Sequence, residues 1–166
     1  MQKSTRTAIM LAVTAGLGTL ALAAPLARAE DDTAQAAYSD IERTLGLVPG
    51  FFKAFPESGI AGAWAEFKSV QLNPHTKLDG KTKELLGLAV AAQIPCQYCV
   101  YFHTAAAKLN GASDEEIRET VAMAALVRHW STVLNGMQTD LADFRKETDT
   151  VLKLAADKAK SSVKSQ

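Results

Sequence analysis

Cys96 and Cys99 stand three residues apart, and His103 follows four residues after the second cysteine. On an α-helix these offsets place all three side chains on one face. A cysteine in the first turn of such a helix meets free backbone N–H groups and the positive end of the helix dipole, which stabilise a thiolate. A histidine one turn further on can take the thiol proton or hold the thiolate as an imidazolium. The thiolate is the reactive form, so the spacing suits nucleophilic sulfur chemistry. Glu84 is the fourth candidate. It shares a helical stripe with Gly87, Leu88 and Ala91, and a carboxylate on an inward-facing stripe needs a partner. As a proton relay it would orient His103 or deprotonate a thiol.

Two helices must position these groups. Asp79 is placed to cap a helix over about 81–92, because its carboxylate can accept N–H groups left free at the start. Pro95 disfavours a helical conformation at Ile94 and suits the first turn of a new helix. That next helix carries Cys96 to Leu109 and closes at Asn110-Gly111. Ser113 and Glu116 form a capping box for a further helix bearing Ile117, Val121, Ala124 and Ala125. A last helix is expected from near Ser131, after His129-Trp130, with a Lys-rich tail fraying from about Lys158 to the end at 166. Upstream, residues 30–36 read as a loose start. Tyr38, Ile41 and Leu45 then recur at helical spacing up to Gly46. Phe51, Phe52 and Phe55 form an expected core cluster. A helix after Pro56 carries Ile60, Trp64, Phe67 and Val70 and ends at Asn73-Pro74. No strand-like alternation is sustained, so the expected class is all-α, with five to seven helices and one helical domain over 30–157.

Composition bounds the function. The chain has 166 residues, 48% hydrophobic and 22% charged, the balance of a folded globular protein. Lys+Arg and Asp+Glu are both 18, so no basic excess points to nucleic acid. Residues 1–29 read as a secretory signal: Lys3 and Arg6, an uncharged Ala/Leu-rich run over 8–24, Pro25, and a small-x-small pattern at Ala27-Arg28-Ala29. Removing Lys3, Arg6 and Arg28 leaves 15 basic residues against 18 acidic ones, a mature net charge of about −3. No later segment is long and apolar enough to span a membrane. The expected location is outside the cytoplasm, in the periplasm for a Gram-negative source, where a cysteine pair can rest oxidised.

The order Glu84, eleven residues, Cys96-Gln97-Tyr98-Cys99, three residues, His103 resembles the AhpD-like alkyl hydroperoxidases of the carboxymuconolactone decarboxylase superfamily. Lys83-Glu84-Leu85-Leu86 before the pair and Gly111-Ala112-Ser113-Asp114-Glu115-Glu116-Ile117 after it agree, and the likeness covers about 78–135. The resemblance implies an all-helical fold assembled as trimers or hexamers. It implies a peroxide substrate, with Cys99 as the peroxidatic nucleophile, Cys96 resolving it to a disulfide, and His103 and Glu84 moving protons. It brings in no cofactor and no metal. A thiol or disulfide reductase of unknown kind would supply electrons. One position departs from the pattern: Tyr98 stands where the best-known members carry a histidine. Tyr98 and His129 are kept as possible pocket residues.

Other readings of the pair stay open. It can be a structural disulfide, although so small a loop gains little entropy from closure. It can be half of a zinc site with His103, completed by Glu84, His75 or His129. It can serve thiol–disulfide exchange or redox sensing in place of peroxide reduction. A non-catalytic helical oligomerisation module is a further reading. The plain decarboxylase branch of the superfamily is disfavoured by the presence of the pair.

Overall fold

The computed structural model describes residues 23–164, with side chains over 33–161, and the described residues form seven helices and no strand. Helix α1 spans Ala23–Leu45, α2 Gly50–Lys53, α3 Glu57–Val70, α4 Gly80–Gln93, α5 Gln97–Leu109, α6 Asp114–Gly136 and α7 Leu141–Lys164. The all-α expectation holds. Of the expected signal segment, residues 1–22 lie outside the described residues. No described helix is long and apolar enough to cross a membrane. The chain divides into two compact units between Asn73 and Pro74.

The first unit holds α1 to α3, with α1 packed against α3. Ala34, Ala37 and Ile41 are buried at helical spacing and meet Phe52, Ile60 and Trp64. This packing is why residues 30–36, expected to be loose, belong to a continuous α1. Gly46 ends the helix with φ +83°, a left-handed conformation that glycine adopts without a Cβ clash. Of the three phenylalanines read as core, only Phe52 is buried; Phe51 and Phe55 are exposed. The short α2 explains the difference, because four helical residues can turn one aromatic side chain inward while its neighbours face out. Asp40 ties the unit together: its carboxylate accepts from Trp64 Nε1 and Lys68 Nζ, each at 2.6 Å, and pairs with Arg43.

The second unit holds α4 to α7. Helix α4 packs on α5 and α6, and α5 on α6. Apart from Leu88 of α4, the buried apolar residues are small: Ala91 of α4, Ala107 of α5 and Ala124 of α6. Such residues let helix axes approach closely. The capping box at Ser113 and Glu116 is present in full. The expected break near Ser131 is not. Helix α6 runs through His129-Trp130 to Gly136, because nothing between Ile117 and Asn135 lacks a backbone donor or requires φ > 0. The chain turns only where Gln138 adopts φ +53° and Asp140 accepts the Ala142 and Asp143 N–H groups at 2.8 and 2.9 Å. Helix α7 likewise continues past Lys158 to Lys164 instead of fraying. Ala155, Ala156 and Ala159 are strong helix formers, which favours that continuation.

Candidate functional site

The site is built where α4 ends and α5 begins. Asp79 caps α4 by accepting the Thr82 N–H at 2.7 Å. That fixes the start of a helix whose inward stripe is Glu84, Leu88 and Ala91, all buried. Pro95 ends α4 as expected: Ile94 closes the last turn with an N–H···O bond to Val90 at 3.1 Å. The Cys96 N–H then reaches back to the Ala91 carbonyl at 3.1 Å. Cys96 is the N-cap of α5, and its Sγ accepts the Cys99 N–H at 3.2 Å. One sulfur therefore sits where the helix offers free donors, and the other lies within the first turn.

Cys96 and Cys99 are joined as a disulfide. One turn after Cys99, His103 Nδ1 lies 2.7 Å from Glu84 Oε2. Glu84 is only 5% exposed, and a buried carboxylate is tolerable because it is partnered. With Glu84 ionised it can only accept, so Nδ1 carries the proton and Nε2 is left as the basic ring nitrogen. Phe102 stands edge-on to the imidazole, centroids 5.3 Å apart.

Cys99 and His103 share the wall of a cleft of about 300 Å³. Helix α4 contributes Leu86, Gly87, Val90 and Ala91, and Ile94 follows it. Leu86, Val90 and Ile94 are all more than half exposed, so one rim of the cleft is an open aliphatic stripe. A larger open groove of about 750 Å³ runs along another face of α5, past Pro95, Gln97, Val100 and Tyr101 to Lys108. Neither cysteine nor His103 lines it. Among the described residues no cluster of three His, Cys, Asp or Glu side chains is placed to hold a metal ion.

Four of the six candidate residues are thus brought together: Cys96, Cys99, His103 and Glu84. The other two are not. Tyr98 is 79% exposed and lines neither the cleft nor the groove. His129 is exposed on α6 with its ring against Trp130. A further element had no signal in the sequence. Arg128 Nε donates to Gln93 Oε1 at 2.6 Å and its Nη2 to the Gln93 carbonyl at 3.2 Å. Gln93 Nε2 in turn donates to the Ala124 carbonyl at 2.6 Å. This clasp holds the last residue of α4 just before Pro95, and it joins residues 35 apart in the chain. Gly87 did carry a signal, as an isolated glycine inside a helical pattern.

The surroundings of this site match known proteins. The model of the carboxymuconolactone decarboxylase family matches residues 59–139, which include the whole site and extend upstream into α3. A protein of Paracoccus denitrificans described as "Uncharacterized protein 4 in cox locus" is 39% identical over 51 residues. That match takes in 31% of this chain, which spans about half, 46%, of the relative's length. The crystal structure of the alkylhydroperoxidase AhpD core from Rhodospirillum rubrum ATCC 11170 superposes with a TM-score of 0.59 at 26% identity. The superposition covers 76% of this chain and 95% of that one.

Proposed function

This chain is an AhpD-like member of the carboxymuconolactone decarboxylase superfamily, and from that premise we propose that it is a thiol-dependent peroxidase. The observation that carries the reading is that His103, which lines the same cleft as Cys99, is paired with the buried carboxylate of Glu84. In the reduced protein the Cys99 thiolate attacks one oxygen of a hydroperoxide. The O–O bond breaks, Cys99 becomes a sulfenic acid, and the leaving alkoxide takes a proton relayed through His103 to depart as an alcohol or water. Cys96 then attacks the Cys99 sulfur, water leaves, and the disulfide seen here forms. Glu84 stabilises the imidazolium while the histidine carries the proton. Two electrons from an external thiol or disulfide reductase restore the pair. The reading includes an exported protein, whose electron donor would have to act outside the cytoplasm.

It also includes a homo-oligomer, a trimer or hexamer. Support comes from apolar side chains left in the open on two helices of the second unit. Met123, Leu126, Val127 and Trp130 recur along α6, Met137 caps its end, and Leu141, Phe144, Val151 and Leu152 recur along α7. Stripes of this length are unusual on a monomer.

A second reading keeps the same pair for thiol–disulfide exchange. It is favoured by the N-cap position of Cys96, where the helix offers free backbone donors to the sulfur. Single-turnover mixing of the reduced protein with cumene hydroperoxide separates the two. Rapid peroxide loss with disulfide formation, absent in Cys99→Ser, is the expected result. Slow loss, equal in both proteins, would move the assignment to exchange, provided that a dithiol reacts quickly with the oxidised pair.

A further inference from the structure

Glycine is the poorest helix former after proline, so Gly87, in the middle of α4, calls for a local reason. The three nearest atoms that a Cβ added there would meet all belong to the imidazole of His103. Such a Cβ would lie 2.7 Å from Nε2 and closer still to Cε1 and Nδ1. Gly62 and Gly136, also in helices, would meet nothing within 4 Å, whereas Gly59 and Gly80, each in the first turn of its helix, would meet the Phe55 ring and the Asn110 side-chain amide. Two further contacts fix the ring where it lies. Its Nδ1 is held by Glu84 at 2.7 Å, and Phe102 stands against it edge-on.

We propose that Gly87 is a positioning residue: its bare Cα is the seat on which the His103 ring lies. Without a side chain at 87, the ring can lie against α4 closely enough for Nδ1 to reach Glu84. His103 then stays on the wall of the cleft with Cys99. Glu84 and Gly87 are three apart on one helix, so carboxylate and seat form a single template presented by α4. Alanine at 87 would push the ring off this template, break the bond to Glu84 and release the tautomer that the bond selects. The inference rests on the reading in which His103 moves protons for Cys99.

The test uses the full chain and needs no peroxide. Nitrogen–proton correlation spectra of the labelled histidines report the tautomer of His103. Its proton is expected on Nδ1 in the parent protein and shared between the two nitrogens in Gly87→Ala. Alkylation of Cys99 by iodoacetamide, in a Cys96→Ser background across pH 5–9, gives the second readout. Gly87→Ala is expected to slow it about tenfold or more, short of the roughly hundredfold to ten-thousandfold of losing a general base outright, and to abolish the same pH-dependent step that His103→Ala abolishes. Adding Gly87→Ala to His103→Ala should change the rate less than about twofold, since both act through one ring. An unchanged tautomer, or alkylation within about twofold of the parent, overturns the proposal. If Gly87→Ala alone does not fold, melting decides. With the ring gone, the double variant should melt at or above His103→Ala, and a lower melting temperature overturns the seat. A protein that passes these tests yet leaves peroxide untouched would refute the peroxidase reading alone.

Discussion

Glu84→Gln isolates the charge of the buried carboxylate while keeping its shape. The amide oxygen can still accept the proton on His103 Nδ1, so the 2.7 Å contact need not be lost. What disappears is the attraction for the imidazolium that forms when His103 carries a proton. A lower bound is the difference between hydrogen bonds to charged and to neutral groups, about 1–1.5 kcal/mol, or roughly tenfold in rate. An upper bound is the interaction of unit charges roughly 4 Å apart at an effective dielectric of about 20, near 4 kcal/mol, or about a thousandfold. His103 is 19% exposed and Glu84 7% by side chain, so solvent screens part of the upper figure. The expected loss is about a hundredfold. The assay is single-turnover reduction of cumene hydroperoxide by the reduced protein at pH 7, with melting run alongside to show that the variant is folded. A folded Glu84→Gln protein reacting within about threefold of the parent would refute the relay and leave Glu84 as a packing residue.

Ser113→Ala removes the hydroxyl that accepts the Glu116 N–H at 3.1 Å, and should cost about 1 kcal/mol in denaturant unfolding; no change would mean that α6 does not depend on its cap. Asp40 gives the acid limb. The hydrogen bond from Lys68, then that from Trp64, holds its carboxyl below the ordinary range. The unfolded chain therefore binds the proton more readily. The stabilisation is present above the ordinary carboxylate pKa and is lost as pH falls through the depressed one. Trp64 fluorescence in a Trp130→Phe background should report this loss in acid, and Asp40→Asn should abolish the transition. Replacing both cysteines by alanine should lower stability by less than the roughly 3 kcal/mol of a 15-residue loop, because the pair encloses so few residues. A larger loss by calorimetry would favour a structural role for the bond.

What the sequence determined is local. Asp79, Pro95 and the Ser113–Glu116 box act within one helical turn, so their chemistry alone placed the borders of α4, α5 and α6 at the N-terminal side. The offsets of Cys96, Cys99 and His103 placed them on one face for the same reason. The stripe of Glu84 with Leu88 and Ala91 is set by helical periodicity, and its burial followed from its apolar neighbours. Where no strong breaker exists, local reading erred: His129-Trp130 looked like a junction, yet α6 continues to Gly136. Residues 30–36 looked loose because their polarity is local, whereas their helix is held by Ala34 and Ala37 against the first-unit core. Tyr98 is next to Cys99 in the chain but about 100° around the helix from it, so adjacency did not bring it to the cleft. Only the packing of α4 on α5 decided that Glu84 reaches His103 across 19 residues and that Gly87 leaves room for the ring, and only the packing of α4 on α6 that Arg128 clasps the end of α4. These contacts lie between helices, and helical spacing sets the face each side chain occupies without setting which face it meets.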